Sequence, residues 1–174
     1  ISEVSLDGLH SLEEVFLSGN PIKQLPENLA ETCPNLKLLF ASDMLLKKVP
    51  TSLSGLTLLE QIDFSHNKIT EIPPSLGDLE SLRSISFAHC KLETSKEREV
   101  LKTPGKGPWD CIEFWQNFNH LLVVDLSFNK LKYIPKGLET KFDTECSVLL
   151  LGNPLVNEES KNLFISPQLG KRFQ

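Results

Sequence analysis

The sequence lacks the features that identify membrane-spanning and nucleic-acid-binding proteins. No apolar run approaches the roughly 20 residues that a transmembrane helix needs. The formal net charge is -5, whereas a nucleic-acid surface needs clustered lysine and arginine. The densest run of basic residues, at positions 96–106, also contains glutamates and is typical of a solvated loop. We therefore expect no membrane insertion and no nucleic-acid partner.

Cysteine is scarce as well. The 174 residues include four cysteines without a Cys-x-x-Cys pair, a usage typical of free thiols in a reducing compartment. No Asn-x-Ser/Thr sequon for N-glycosylation occurs. No signal peptide is visible, although the chain begins at Ile1 rather than at a methionine. We expect a cytoplasmic location.

Recognisable catalytic motifs are missing too. The Gly-Lys-Gly stretch within positions 103–108 has neither the spacing of a phosphate-binding loop nor its Ser or Thr. Nucleophile-elbow, zinc-protease and kinase motifs do not occur. We therefore expect no enzymatic activity and no cofactor.

The dominant feature that is present is a repeat of about 23 residues. In one unit it reads Leu59-x-x-Ile62-x-Phe64-x-x-Asn67, and its last residue is the anchor of that unit. The intervals between successive anchors are 24, 23, 23, 39 and 24 residues. Such a period predicts a solenoid whose units pack on their neighbours. The six anchors are Asn20, Met44, Asn67, Cys90, Asn129 and Asn153.

The residues after each anchor extend the pattern. An apolar residue follows two places on, several units continue as in Ile72-Pro73, and another leucine comes next, as at Leu76. The whole pattern resembles the leucine-rich-repeat family, and the 23-residue form with Ile-Pro is similar to its intracellular Ras-associated and Scribble-like class. The resemblance implies an α/β leucine-rich-repeat solenoid, a right-handed horseshoe with a parallel concave sheet. Short 3-10, extended or helical segments are expected on the convex side, where proline disfavours regular helix.

We interpret residues 1–174 as a single domain of about six repeats. The long interval predicts an insertion at 93–109 in the fourth repeat, and the apolar segment 154–174 predicts a C-terminal cap that shields the last open core face. Trp109, Ile112, Trp115 and Phe118 form an amphipathic stripe after the insertion. We interpret this stripe as core; a partner-binding aromatic patch, above all at Trp109, is the alternative.

Strand alternation separates the inner from the outer residues. In the first unit Val15 and Leu17 are expected to point inward, because successive side chains of a strand face opposite sides. The asparagine anchors are expected to turn inward and to hydrogen-bond the turn backbones of neighbouring units. Met44 interrupts this ladder, so the turn after Asp43 is the weakest point of the register.

The outward residues are the candidate partner-binding residues. Phe16, Leu38 and Phe40 are expected to form an exposed apolar patch beside Glu14, since aromatic side chains on a rigid sheet are effective binding anchors. Coverage of this patch by a preceding repeat or by a flanking segment is the alternative. A polar central strip is expected to select partners through charge and hydrogen bonds. The candidates in or beside the strip are Gln61, Asp63, His66, His89 and Asp125.

The histidines also allow a different interpretation. His66 and His89, with Asp63 and Cys90 nearby, superficially resemble a metal site or a Cys-His hydrolase. Cys90 is expected to point inward and Asp63 outward, however, so the four side chains cannot converge. We expect no metal.

These observations predict a non-catalytic protein–protein interaction module that binds its partner through the concave face. The family resemblance implies a small GTPase, a phosphatase or a junction protein as partner. The alternative is a targeting or sensor domain of a larger signalling enzyme or receptor. A free-standing enzyme is the least favoured class.

Overall fold

The computed structural model describes residues 4–94, 112–142, 144–156 and 164–165. One short strand occurs in each of the six predicted units, and all six join one sheet in chain order. These strands are β1 (Glu14–Phe16), β2 (Leu38–Phe40), β3 (Gln61–Asp63), β4 (Ser84–Ser86), β5 (Val123–Asp125) and β6 (Ser147–Leu149).

The strands β1 to β6 are parallel and paired without any slip. Val15, Leu39 and Ile62 are successive partners, and the same register continues to Val148. It passes through the Met44 unit and across the long fourth interval unchanged, so the predicted register is confirmed. A final strand, β7 (Phe164–Ile165), pairs antiparallel with β6, which the sequence did not predict. An antiparallel partner needs no crossover connection and can therefore form directly after the last unit.

Among the described residues, the return segments contain only short helical turns. Two are α-helical, α1 (Leu29–Thr32) and α2 (Ile112–Gln116), and three are 3-10 turns, η1 (Thr51–Gly55), η2 (Pro74–Asp78) and η3 (Leu138–Lys141). A proline precedes η1 and η2 directly, at Pro50 and Pro73. The prediction of short 3-10, extended or helical segments on the convex side is confirmed. No helix among the described residues has the length and apolar character to span a membrane.

The core lies between the sheet and these segments. Leu39, Ile62 and Ile85 lie side by side on the inner face of β2, β3 and β4, and each is almost completely buried. One layer deeper, the rings of Phe64 and Phe87 lie with their centroids 5.5 Å apart. The central repeats therefore bury their pattern residues against the same residues of their neighbours.

Buried asparagines join the turns of successive units. The Asn67 Oδ1 accepts a hydrogen bond from the Leu46 amide at 3.0 Å, and its Nδ2 donates to the Ala41 carbonyl at 2.8 Å. Asn129 and Asn153 bind the unit before them in the same way. The ladder is thus confirmed for these three anchors.

The hydrogen bond to a neighbouring unit that was predicted for Asn20 is not formed among the described residues. Asn20 is exposed, and its Nδ2 donates to the Leu17 carbonyl of its own unit at 2.8 Å. A ladder asparagine bonds the unit before it, and the residues described before Asn20 contain no strand of such a unit. Met44 occupies the ladder position of its unit and is buried, but its side chain has no amide group to form these hydrogen bonds.

The stripe after the insertion is confirmed only in part. Trp115 and Phe118 are buried, as interpreted, but Ile112 is 42% exposed and Phe114 is buried instead. The backbone of Ile112 lies so close to Gly137 that a Cβ there would be 2.7 Å from the Ile112 Cα. The helix therefore meets the next repeat through its backbone at Ile112. Trp109 and most of the proposed insertion and cap lie outside the described residues.

Candidate functional site

The candidate residues lie on the outer side of the sheet β1–β6 and at the turns that directly follow these strands. This surface is the strand face. Two columns of paired residues cross it from strand to strand. One column contains Glu14, Leu38, Gln61, Ser84, Val123 and Ser147. The other contains Phe16, Phe40, Asp63, Ser86, Asp125 and Leu149. Seven of the nine candidate residues lie in these two columns, and the other two, His66 and His89, lie at the turn edge of the same face.

The N-terminal part of the strand face is apolar. Phe16 and Phe40 stack with ring centroids 5.1 Å apart and an interplanar angle of 3°. Phe16 is 64% exposed, and Leu38 and Phe40 are partly exposed beside it. An ion pair between Lys37 and Glu13, at 2.8 Å, lies one residue before the β2 and β1 strands. Phe16, Leu38 and Phe40 together form the aromatic patch, in which Phe16 is the most exposed residue.

The middle of the strand face contains two carboxylates with a gap between them. Asp63 and Asp125 both pair with Ser86 on β4, one from each side. The Oδ1 of Asp63 accepts a hydrogen bond from the Ser65 amide at 2.9 Å, and Asp125 does the same with Ser127. These bonds orient both carboxylates and leave one oxygen of each for another donor.

A third column follows at the turn, one residue before each anchor, and its backbone is left-handed in every unit. Gly19 and Gly152 occupy this position at the two ends, but four units place a side chain there. The values of φ are 51° at Asp43, 55° at His66, 52° at His89 and 54° at Phe128. The amide of each donates to a carbonyl of the next unit, as from His66 to Ala88 at 2.8 Å. Left-handed backbone is unfavourable for residues with a Cβ, by roughly 1–2 kcal/mol each.

This turn geometry stacks three rings along the strand face. The centroids of His66 and His89 are 4.2 Å apart, and those of His89 and Phe128 are also 4.2 Å apart, with interplanar angles of 11° and 13°. Phe128 is 46% exposed, and Leu151 nearby is 45% exposed. Phe128 is not among the candidates selected from the sequence, although it falls in the same column as the two histidines.

The second and third columns enclose an open depression of about 570 Å³, called the trough below. Small residues form its floor, the carboxylates form one wall, and the ring stack forms the other. Apolar residues close its C-terminal end. The floor consists of Ser65, Ala88 and Ser127, and the closing residues are Leu149 and Leu151.

The metal interpretation does not fit this geometry. The Cys90 Sγ is buried and donates to the Phe64 carbonyl at 3.3 Å, whereas His66 and His89 lie on the strand face. Burial raises the pKa of the Cys90 thiol to about 11, so the free thiol stays protonated near neutral pH and is not an activated nucleophile. Among the described residues, no three His, Cys, Asp or Glu side chains lie close enough together to hold a metal ion.

Comparison with known proteins identifies the repeat. The Leucine Rich Repeat family model matches residues 58–79, which include β3. The leucine-rich repeat-containing G-protein coupled receptor 5 of Rattus norvegicus is 40% identical over 131 residues, which cover 75% of this chain. The aligned part spans only 13% of the length of that receptor.

Solved structures share the solenoid. A leucine-rich-repeat protein of Leptospira interrogans aligns over 84% of this chain and 33% of its own, with a TM-score of 0.68 and 26% identity. The LRR ectodomain of a plant membrane receptor kinase from Arabidopsis thaliana aligns over 83% of this chain and 16% of its own, with a TM-score of 0.64 and 23% identity. The latter likeness concerns the fold alone.

Proposed function

We propose that this leucine-rich-repeat protein is a non-catalytic interaction module that binds a protein partner through the concave, strand-bearing face. Leucine-rich-repeat domains generally mediate protein–protein interaction, and the aromatic patch supplies the observation that carries the proposal. Phe16 is stacked on Phe40 and yet 64% exposed. Aromatic side chains held on a rigid sheet bury a large area on binding and lose little conformational entropy.

The proposal extends over all nine candidate residues, with the aromatic patch as anchor and the polar residues as the source of selectivity. Small GTPases, phosphatases and junction proteins are the partner classes that the 23-residue repeat form favours, and a cytoplasmic location agrees with the scarce cysteines. Within the described residues, Cys33, Cys90 and Cys146 are free thiols.

The test is a quantitative affinity capture with matched variants. Wild-type chain, the Phe16→Ala/Phe40→Ala variant and a Leu58→Ala/Leu122→Ala control are used on the same lysate. Leu58 and Leu122 are also exposed but belong to neither strand column. We expect a defined set of proteins to be lost with the first variant and kept with the control. If both variants capture the wild-type set, the aromatic patch is not the binding anchor.

A second candidate function is that of a targeting or sensor domain within a larger receptor or signalling enzyme. It is favoured by the similarity to a G-protein coupled receptor and by the small share of that receptor that this chain spans. Sequencing of the full-length transcript distinguishes the two. A membrane span or catalytic domain in the same reading frame supports the receptor or enzyme, whereas its absence supports the free interaction module.

A further inference from the structure

We propose that the trough on the strand face binds an arginine side chain of the protein partner, with an apolar neighbour of that arginine seated at the C-terminal end of the trough. The proposal rests on the interaction function proposed above and names the chemistry that the partner must present.

The carboxylate wall defines the charge of the occupant. Asp63 and Asp125 are two strands apart, about 9.5 Å at the usual strand spacing. Ser86 between them is short, so a cation above it can reach both carboxylates. Each carboxylate is already oriented by a hydrogen bond that its Oδ1 accepts from a backbone amide. No lysine or arginine is found among the described residues that line the trough, and neither aspartate forms an ion pair with a described residue.

The gap between the carboxylates distinguishes arginine from lysine. A guanidinium is a planar fork with N–H donors on opposite sides, so it can donate to Asp63 and Asp125 at the same time, whereas an ammonium group is a point charge without this fork. The rings of His66, His89 and Phe128 stack on one another, so they present mainly their edges to the trough and bound it on that side. The small floor residues leave the space between the two walls open.

The C-terminal end of the trough determines the neighbouring residue. Leu149 and Leu151 line this end, with the Phe128 ring beside them. Phe128 and Leu151 are both more than two-fifths exposed, at 46% and 45%. An aliphatic or aromatic residue next to the arginine would cover this surface and remove it from water. The trough therefore selects a basic–apolar pair rather than a lone charge.

The probe for this proposal is a phage-displayed library of random peptides, selected on the whole 174-residue chain. We expect arginine, and not lysine, to be enriched next to an apolar residue. The enrichment should disappear with the double variant Asp63→Asn/Asp125→Asn. Asparagine keeps an oxygen that can accept the hydrogen bond from the backbone amide, so the substitution removes only the charge. A Glu71→Gln/Glu80→Gln control has the same net charge as the double aspartate variant. It should retain the arginine enrichment, since both glutamates are exposed outside the strand columns.

A selected peptide then permits a direct measurement. Replacement of its arginine by lysine or by the neutral citrulline should weaken binding on the order of tenfold. The Ser86→Arg variant should block the peptide, because the new guanidinium occupies the gap between the two aspartates. Circular dichroism of each variant shows whether the fold is retained.

Three results overturn the arginine proposal. They are a wild-type pool without arginine enrichment, an enrichment that persists in the double aspartate variant, and a pool enriched in acidic peptides. If the selected peptides instead depend on Phe16 and Phe40, the interaction function stands and the arginine proposal alone fails. If cellular capture is indifferent to those two phenylalanines while arginine peptides still need the aspartates, the aromatic patch fails and the trough stands.

Discussion

The N-terminal repeats and the central repeats share one backbone register but differ in what they bury and what they expose. In β1 and β2 the outer column carries Phe16 and Phe40, whereas in β3 to β5 it carries two aspartates separated by a serine. At the anchors, Asn20 is exposed and bonds only its own unit, and Met44 is buried. The third anchor, Asn67, is buried and hydrogen-bonds the unit before it. The comparison teaches that the register constrains the inner side chains through packing and hydrogen bonding, and leaves the outer ones free for recognition.

The largest effect is expected from truncation of a core side chain in the central repeats. Ile62→Ala should lower the free energy of unfolding by about 2–5 kcal/mol, because Ile62 is buried between Leu39 and Ile85 and leaves a cavity. Phe16→Ala removes a larger side chain but should lower it by about 1 kcal/mol or less, since that ring is mostly exposed. Urea unfolding of both variants measures the difference. An Ile62 loss no larger than that of Phe16 would show that the inner and outer faces are assigned incorrectly.

An intermediate effect is expected at the turns. Asn129→Ala should destabilise the fold by about 1–3 kcal/mol, because it leaves the Leu92 amide and the Phe87 carbonyl without this buried partner. Asn20→Ala should change the stability by less than about 0.5 kcal/mol, since Asn20 is exposed and bonds only its own unit. Thermal and urea unfolding provide the two values. Equal losses at both positions would remove the distinction between the two ends of the ladder.

The smallest effect is expected from the thiol that replaces an asparagine in the central ladder. The pKa of Cys90 is raised to about 11 in the folded protein, so folding favours the neutral thiol. Its contribution to stability is complete below the ordinary thiol value of about 9 and is lost as the pH rises towards 11. We expect a loss on the order of 1 kcal/mol or less between about pH 8 and about pH 10.

The control for this pH dependence is Cys90→Ala, which has no titratable group at the anchor, as Met44 has none in the second unit. Its free energy of unfolding should fall less steeply with pH over the same interval. If the two pH profiles run parallel, the Cys90 thiol does not titrate with folding, and its burial has no electrostatic consequence.

The fold was accessible from the sequence because solenoid repeats make mostly neighbour contacts. The anchor interval and the Ile62–Phe64 alternation were sufficient to predict each parallel strand, and the prolines were sufficient to predict the short turns of the convex side. The stripe through Ile112 failed because a helical period does not specify which residue of the first turn meets its neighbour. The antiparallel β7 has no repeat signal at all.

The aromatic patch was predicted for the same reason as the strands, since it follows from alternation alone. The trough was not predicted, although Asp63, Asp125, His66 and His89 in its walls were selected as candidates. Whether His66, His89 and Phe128 stack or splay apart depends on a left-handed turn in each unit and on the close approach of three neighbouring turns. Sequence spacing specifies the column but contains no information on φ at a non-glycine residue.

The sequence by itself thus determined the period, the inner and outer faces and the register, because these depend on side-chain alternation and on burial of one apolar set per unit. The tertiary structure alone decided which outer side chains meet. It oriented the carboxylates of Asp63 and Asp125 by hydrogen bonds from backbone amides, and it stacked the rings of His66, His89 and Phe128 opposite them. Such cross-unit contacts depend on distances between turns far apart in the chain, and these distances exist only once the repeats have stacked.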